Sequence, residues 1–440
     1  MTPPTLELAE TPVALAREGI VPAPRPSRAL RLWRVARGFL AASGPGYFVA
    51  VGYMDPGNWA TDIAGGARFG YALLAVVLLA NLMAMVLQAL SARLAIATGR
   101  DLAQASHDFL PRRLATALWA MAELAIVATG VAEVVGSAIA LNLLLGLPIA
   151  LGAALTVADV ALIVLLQRRG YGGLQALVIA LIGVVAAGFG YQLFLAAPPW
   201  GAVAAGFVPS LAILRDPAML YLAVGIIGAT VMPHNLYLHG AIVRERGISG
   251  DKRAAMAFAT ADSTVALTVA LAINAAILIV AAAAFQGRGQ AVEEIADAHA
   301  LIAPALGAPL AAVAFAVALL AAGQNSSITA TLAGDVVMAG FLGRRMAAWQ
   351  RRLVTRLLSA VPVIVATSLL GDDSTGSLLV LSQVVLSLQL PFAVIPLVLF
   401  TGSRARMGAY ASPLWLKLAA WAIAAAILAL NAAMLAGMAA

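Results

Sequence analysis

The stretch GYMDPGNWA, Gly52 to Ala60, interrupts an apolar run that begins near residue 41. A membrane helix needs about 20 consecutive, mostly apolar residues. This one carries a carboxylate, a proline, a glycine and an amide in its middle. Pro56 removes a backbone donor and clashes with the preceding turn, and Gly57 tolerates unusual dihedrals. Together they unwind the helix and free carbonyls, that of Gly52 among them. Freed backbone at membrane depth is tolerated only where it lines a cavity or meets a ligand. Asp55 costs about 2.5–3.5 kcal/mol or more at that depth unless it is paired, and Asn58 adds an amide oxygen. The set is rich in acceptors, so its natural partner is a cation. A plain kink with a capped half-helix is the bland alternative, because Pro and Gly are common in membrane helices.

The whole chain supports a membrane setting. Of its 440 residues, 62% are hydrophobic and only 11% charged, with a mean hydropathy of +0.96. Such a composition fits a polytopic bundle, whose lipid-facing side chains are apolar as well as its core. The apolar runs are rich in Ala, Leu and Val and do not alternate in segments of roughly ten, which argues against a β-barrel. The absence of cysteine excludes disulfides, thiolate metal sites and cysteine nucleophiles. The net charge of +7 reflects topogenic residues and not nucleic-acid binding. Residues 1–38 are rich in Pro and Arg. They read as a disordered basic cytoplasmic tail and not as a secretory signal.

Apolar segments fall at about 41–67, 70–98, 113–145, 148–166, 173–197, 217–242, 254–285, 300–341, 353–370, 377–400 and 412–437. The expectation is an all-α polytopic membrane protein with 11 transmembrane helices, those starting at 113 and 300 being longer than the bilayer is thick. With the N-terminus inside, 24 of the 27 Lys and Arg residues fall on the inner side, and only Arg68, Arg215 and Arg288 fall outside. This bias predicts a cell inner (plasma) membrane protein with a cytoplasmic N-terminus and an outer C-terminus. The transporter domain spans 39–440. A second interruption, ATVMPHNLY (Ala229 to Tyr237), lies in the sixth helix. The starts of the two halves are five helices apart, an odd number, so repeat one (about 41–197) and repeat two (about 217–400) are inverted relative to each other, and helix 11 (412–437) is extra. Inverted repeats with broken helices in matching positions point to a secondary transporter with a midplane site.

In the second break Pro233 frees carbonyls near Ala229. Met232 brings a thioether, a soft ligand that suits later transition metals and is useless to Mg²⁺ or Ca²⁺. The bland alternative for Met232 is gap-filling. His234 reads as a pathway or proton-carrying group and not as a ligand. The paired motifs DPGN and MPHN, with NLMAMVLQ, AEVVGSAIALNLL, LAGDVVM and LVLSQVVLSLQLPFAVIPL around them, resemble the Nramp (natural resistance-associated macrophage protein) family of divalent-metal transporters. The resemblance implies a LeuT-like fold and metal–proton symport by alternating access, with Mn²⁺ or Fe²⁺ as substrate, H⁺ as co-substrate and no cofactor. It places the metal ligands on Asp55, Asn58, Met232 and the carbonyls of Gly52 and Ala229, with Gln383 joining in some conformations. Asn274 and Asn325–Ser327 are further polar spots, for which interhelical hydrogen bonding is the rival account.

Intramembrane carboxylates are proton-relay candidates, which singles out Glu123, Glu133, Asp159, Asp262 and Asp335 beside Asp55. Asp262 and Asp335 lie near segment ends and read as structural. The resemblance puts Glu133 on the proton route, with Arg351 and Arg352 toward its cytoplasmic end. One position departs from the family: the usual TDxAE of the third helix reads TGVAE, with Gly130 in place of the Asp. Three residues are nearly one turn, so the usual Asp and Glu share a face. The change leaves the metal site intact and puts proton coupling at issue, with passage from Asp55 to Glu133 directly or through His234 as the expected detour. An amino-acid transporter of the same superfold would aim half-helix N-termini at a substrate carboxylate, and the charge of Asp55 argues against that. An intramembrane protease lacks its motifs here: His234 and His239 are not an HExxH pair. The expected partners are divalent metal ions and the lipid bilayer, with no nucleic acid and no obligatory protein partner.

Overall fold

The structure is a computed structural model that describes residues 45–158, 171–247, 250–287, 292, 294–343 and 347–439. The 1–38 tail, Asp159 and the Arg168–Arg169 loop lie outside the described residues. Among those described, every regular element is helical. The first broken segment is α1 (Pro45–Gly52) and α2 (Pro56–Phe69), followed by α3 (Leu74–Thr98), α4 (Leu102–Phe109), α5 (Arg112–Leu145) and α6 (Tyr171–Ala196). The second is α7 (Pro217–Thr230) and α8 (Pro233–Glu245), followed by α9 (Lys252–Phe285), α10 (Ile295–Leu306), α11 (Pro309–Leu342), α12 (Ala348–Leu370) and α13 (Thr375–Gly402). The last helix, α14, covers Leu414–Ala439.

Nine stretches among the described residues are long and apolar enough to cross a membrane, and one of them, Pro56–Thr98, contains both α2 and α3. Gly70 separates these two with φ +60, opening a 3-10 turn. The segment expected at 148–166 is described as far as Ala158, as a short helix Ile149–Leu155 and a 3-10 turn. One boundary differs from expectation. The segment 300–341 is two helices, because Gly307 ends α10 at φ +64 and Pro309 opens α11. A left-handed glycine followed by a proline stops one helix and starts the next. α5 is a single helix of 34 residues, as expected.

The two broken helices lie among α5, α9, α11 and α13. Lipid is as apolar as leucine, so helix association here rests on close packing and interhelical hydrogen bonds. Small residues supply the close approach. Gly228 of α7 stands against the α13 backbone, where a Cβ would come within 2.7 Å of the Ser387 nitrogen. Trp59 of α2 is fully buried and meets Phe189 of α6 and Phe315 of α11 edge-on, at 4.6 and 5.3 Å between ring centroids. Such aromatic pairs add about 0.5–1.5 kcal/mol beyond burial, and they pin α2 where its first turn faces the second break.

Candidate metal site

Asp55 stands at the N-cap of α2, with Pro56 at the first helical position. Its Oδ1 accepts from the Asn58 backbone N–H at 2.8 Å and from Asn58 Nδ2 at 2.8 Å. The same Nδ2 donates to the Ala229 carbonyl at 3.1 Å, across the gap to the second break. Asn58 Oδ1 accepts from Thr230 Oγ1 and from Asn274 Nδ2, each at 3.3 Å. Asn274 also donates to the Tyr53 carbonyl at 2.8 Å. One amide thus ties together the carboxylate of the first break, a carbonyl of the second and a side chain of α9.

In the second break Met232 is the N-cap residue of α8, and its sulfur accepts from Asn235 Nδ2 at 3.4 Å. Asn235 in turn fills the space beside Gly52, so a side chain at 52 would strike the amide. Gln383 of α13 packs on Gly57, where again a Cβ finds no room, and its Nε2 donates to Ser382 Oγ at 2.8 Å. Asp55 Oδ2 and Gln383 Oε1 are buried and have no hydrogen-bond donor among the described residues. Asp55, Met232 and Gln383 are 0% exposed and Asn58 1%. Asp55, Asn58 and the Ala229 carbonyl are therefore joined directly. Met232 and Gly52 meet through Asn235, and Gln383 reaches the group through Gly57. Among the described residues no three His, Asp or Glu side chains form a metal cluster. The donor set here is of another kind: one carboxylate, amides, a thioether and carbonyls, which is compatible with a divalent transition metal.

The groups expected on the proton route divide. His234 is buried, and its Nδ1 lies 3.2 Å from Thr129 Oγ1 on α5. Thr129 precedes Gly130 and stands one turn before Glu133, on the same face. Glu133 is buried, accepts from Ser326 Oγ at 2.7 Å and pairs with Arg356 at 3.2 Å. Arg351 instead pairs with Glu123, which also accepts from Trp119 Nε1 at 3.0 Å. Arg352 pairs with Asp335 at 2.9 Å. Asp262 is not near a helix end. It is buried in α9, where its Oδ2 accepts from the Gly46 N–H at 2.8 Å. Of the other polar spots, Ser326 serves Glu133, and Asn325 donates to the Val178 carbonyl at 3.4 Å.

Arg356, one of the 24 basic residues that the charge count places on the inner side, lies inside α12 and is only 6% exposed. The available signal was cost: an arginine in an apolar helix interior requires a counter-charge. Gly130 has a physical counterpart as well. A Cβ there would come within 2.9 Å of the Ser359 Cβ and would strike its hydroxyl. Ser359 Oγ is within 3.2 Å of the Val127 carbonyl and 3.0 Å of the Thr355 carbonyl, donating toward both. The room that a longer side chain at 130 would use is thus occupied by α12. A further chain runs from the first break: Gln88 Nε2 donates to Tyr53 Oη at 2.8 Å, and Gln88 Oε1 lies 2.8 Å from His239 Nδ1.

Known proteins resemble this chain over most of its length. A family model described as "Natural resistance-associated macrophage protein-like" matches residues 46–437. A divalent metal cation transporter MntH of Agrobacterium fabrum is 58% identical over 400 residues, covering 90% of this chain and 87% of the relative. One of the same description from Xanthomonas campestris pv. campestris is 59% identical over 396 residues, 89% of each chain. The crystal structure of the Eremococcus coleocola manganese transporter superposes with a TM-score of 0.83 at 40% identity, over 90% of this chain and 86% of that one. A nucleobase-cation-symport-1 family transporter shares the fold alone, with a TM-score of 0.59 at 16% identity over 89% of this chain and 92% of that one.

Proposed function

We propose, from the premise that this chain belongs to the natural resistance-associated macrophage protein-like (Nramp) family of membrane metal transporters, that it imports divalent transition-metal ions, Mn²⁺ and Fe²⁺ among them, by alternating access. It is a multi-pass membrane transporter and not an enzyme. The observation that carries the reading is the Asp55–Asn58–Ala229 junction between two broken helices, with Met232 one residue beyond Val231 in the second break.

The chemistry follows from these groups. Asn58 presents its amide nitrogen to Asp55 and to the Ala229 carbonyl. Rotating that amide by half a turn turns its oxygen toward the same acceptors. Carboxylate, amide oxygen and carbonyl then converge as hard donors on one cation, and Met232 adds a soft donor that Ca²⁺ and Mg²⁺ do not use. The incoming ion takes the place of the proton on Asp55, whose burial as an uncompensated charge is otherwise costly. An inside-negative potential favours each entering positive charge by about 2.3 kcal/mol per 100 mV. Rocking of the half-helices then opens the site inward.

Proton coupling belongs to the same proposal. A proton displaced from Asp55 passes by His234 and Thr129 to Glu133, without a carboxylate at position 130. The decisive experiment is Mn²⁺ uptake into proteoliposomes carrying an internal pH dye, competed by Fe²⁺, Co²⁺, Cd²⁺, Ca²⁺ and Mg²⁺. Uptake blocked by the transition metals and indifferent to Ca²⁺ and Mg²⁺ supports the metal reading, and equal competition by all five sinks it. Internal acidification that tracks Mn²⁺ entry supports the coupling. Metal entry without it assigns this chain to uncoupled transport.

A further inference from the structure

A groove of about 510 Å³ opens on the lipid-facing side of the bundle between the start of α5, α13 and α14. That volume lies within the roughly 300–1,000 Å³ typical of ligand pockets. Leu118, Pro391, Phe392, Leu428 and Leu435 line it, and Asn431 is the sole polar side chain in its wall. Asn431 is committed elsewhere: its amide donates to the Ser387 carbonyl and accepts from Ser387 Oγ, both at 2.8 Å. The groove therefore offers no free polar group along its length and takes an apolar chain.

One end of the groove is different. Leu110 and Leu399 line it there, and their sequence neighbours Phe109 and Phe400 meet edge-on at 5.5 Å. The Arg406 guanidinium lies over both rings, 5.0 and 4.9 Å from the centroids. Arg112, Arg113 and Arg404 are exposed nearby in sequence, at the start of α5 and just beyond α13. The Lys417 stem stands beside Gly402, at the last turn of α13. Among the described residues none of these five cations is in an ion pair, and Asp108, the adjacent acid, is taken by Arg100 at 3.0 Å. The apolar groove thus ends close to Arg406, and the four other cations, likewise without an ion pair among the described residues, follow or precede its lining residues in sequence.

We propose that this groove is a binding site for an anionic phospholipid, its acyl chain lying along α13 and its phosphate on the rim of Arg406, Arg113 and their neighbours. Basic pockets between helices at a membrane surface recognise such headgroups. The stacked position of Arg406 holds its charge at the mouth. A zwitterionic lipid fits the groove equally well but gains less from the rim.

The test uses the full chain in nanodiscs of phosphatidylcholine with trace amounts of chain-labelled phosphatidylglycerol or phosphatidylcholine, reading the immobilised fraction of each probe. The expected result is preferential immobilisation of phosphatidylglycerol, by about fivefold for each basic residue engaged. Arg406→Gln with Arg113→Gln should cut the preference by about fivefold for each of the two residues engaged. Ala432→Trp and, separately, Leu428→Trp fill the groove from α14 and should lower immobilisation of both probes. Ala432 is exposed on the lipid side, so its replacement spares the core and keeps the test open should Leu428→Trp misfold. Equal immobilisation of the two probes by the unaltered chain overturns the proposal. So does retention that neither tryptophan changes, or a doubled particle mass showing that a second copy covers the groove.

Discussion

Asp55 combines two duties that a single substitution separates. It caps α2 through the Asn58 N–H, and it supplies the only carboxylate among the proposed metal ligands. Asparagine caps a helix about as well as aspartate, so Asp55→Asn should leave the thermal melt of the purified protein within a few degrees while Mn²⁺ uptake falls to background. Uptake that persists would remove Asp55 from the site. Met232→Ala tests the thioether. It should erode discrimination against Ca²⁺ and Mg²⁺ in competition uptake more than it weakens Mn²⁺ uptake, and unchanged selectivity would reduce the sulfur to packing. These residues were legible in the sequence because their chemistry is improbable in a membrane helix. Asn235 and Thr230 were not, because an amide or hydroxyl beside a break carries no distance information. Only the folded chain places Asn235 between Met232 and Gly52. Arg356 was legible in principle, yet proximity to a basic loop hid it among topogenic charges.

The contact of α12 with α5 joins the departure at Gly130 to the ion pair at Glu133. Arg356 and Glu133 are both buried, 6% and 2% exposed as side chains. Removing one partner of a buried pair strands the other charge and costs about 3–5 kcal/mol. Arg356→Gln should therefore lower the melting temperature clearly, and the double variant Glu133→Gln with Arg356→Gln should recover most of it. A single variant as stable as the parent would mean that the other partners of Glu133, Ser326 among them, satisfy it. Three residues nearer Ser359, the helix pair leaves no space for a side chain at 130. Gly130→Asp should cost about 1–3 kcal/mol from overpacking. Adding Ser359→Gly should return part of that stability despite the helix penalty of about 1 kcal/mol for glycine. The paired variant should then acidify the liposome interior more per Mn²⁺ than the parent does, and equal acidification would show that position 130 does not limit proton flow. The element boundaries themselves were mostly readable from apolar length. The exception, 300–341, hid a Gly–Ala–Pro stop inside a run that remains apolar throughout, where hydropathy is blind and only backbone conformation decides.

For the whole molecule, we propose an orientation from the asymmetry of basic residues, which local packing does not supply. The ends of α5, α13 and α14 that carry Arg112, Arg113, Arg404, Arg406 and Lys417 share one side. The opposite ends carry the Gly146 turn, the Gly371 turn and the α10 helix, with Glu294 bonded to Thr375 and Gly376 at the start of α13. Positive-inside reasoning assigns the first side to the cytoplasm. A chain without cysteine makes this directly measurable, because one introduced thiol is the only one to label. Ser403→Cys should react with a membrane-impermeant maleimide only after the cells are opened, and Gly146→Cys should react in intact cells. A thiol at Leu145 replaces Gly146 if the left-handed backbone there, φ +69, rejects a side chain. The reverse pattern would invert the transporter and make the rim of the lipid groove an outer-leaflet site. It would leave the driving force unchanged, because an inside-negative potential favours cation entry whichever way the transporter is inserted, so the labelling decides the leaflet of the groove and not the direction of transport.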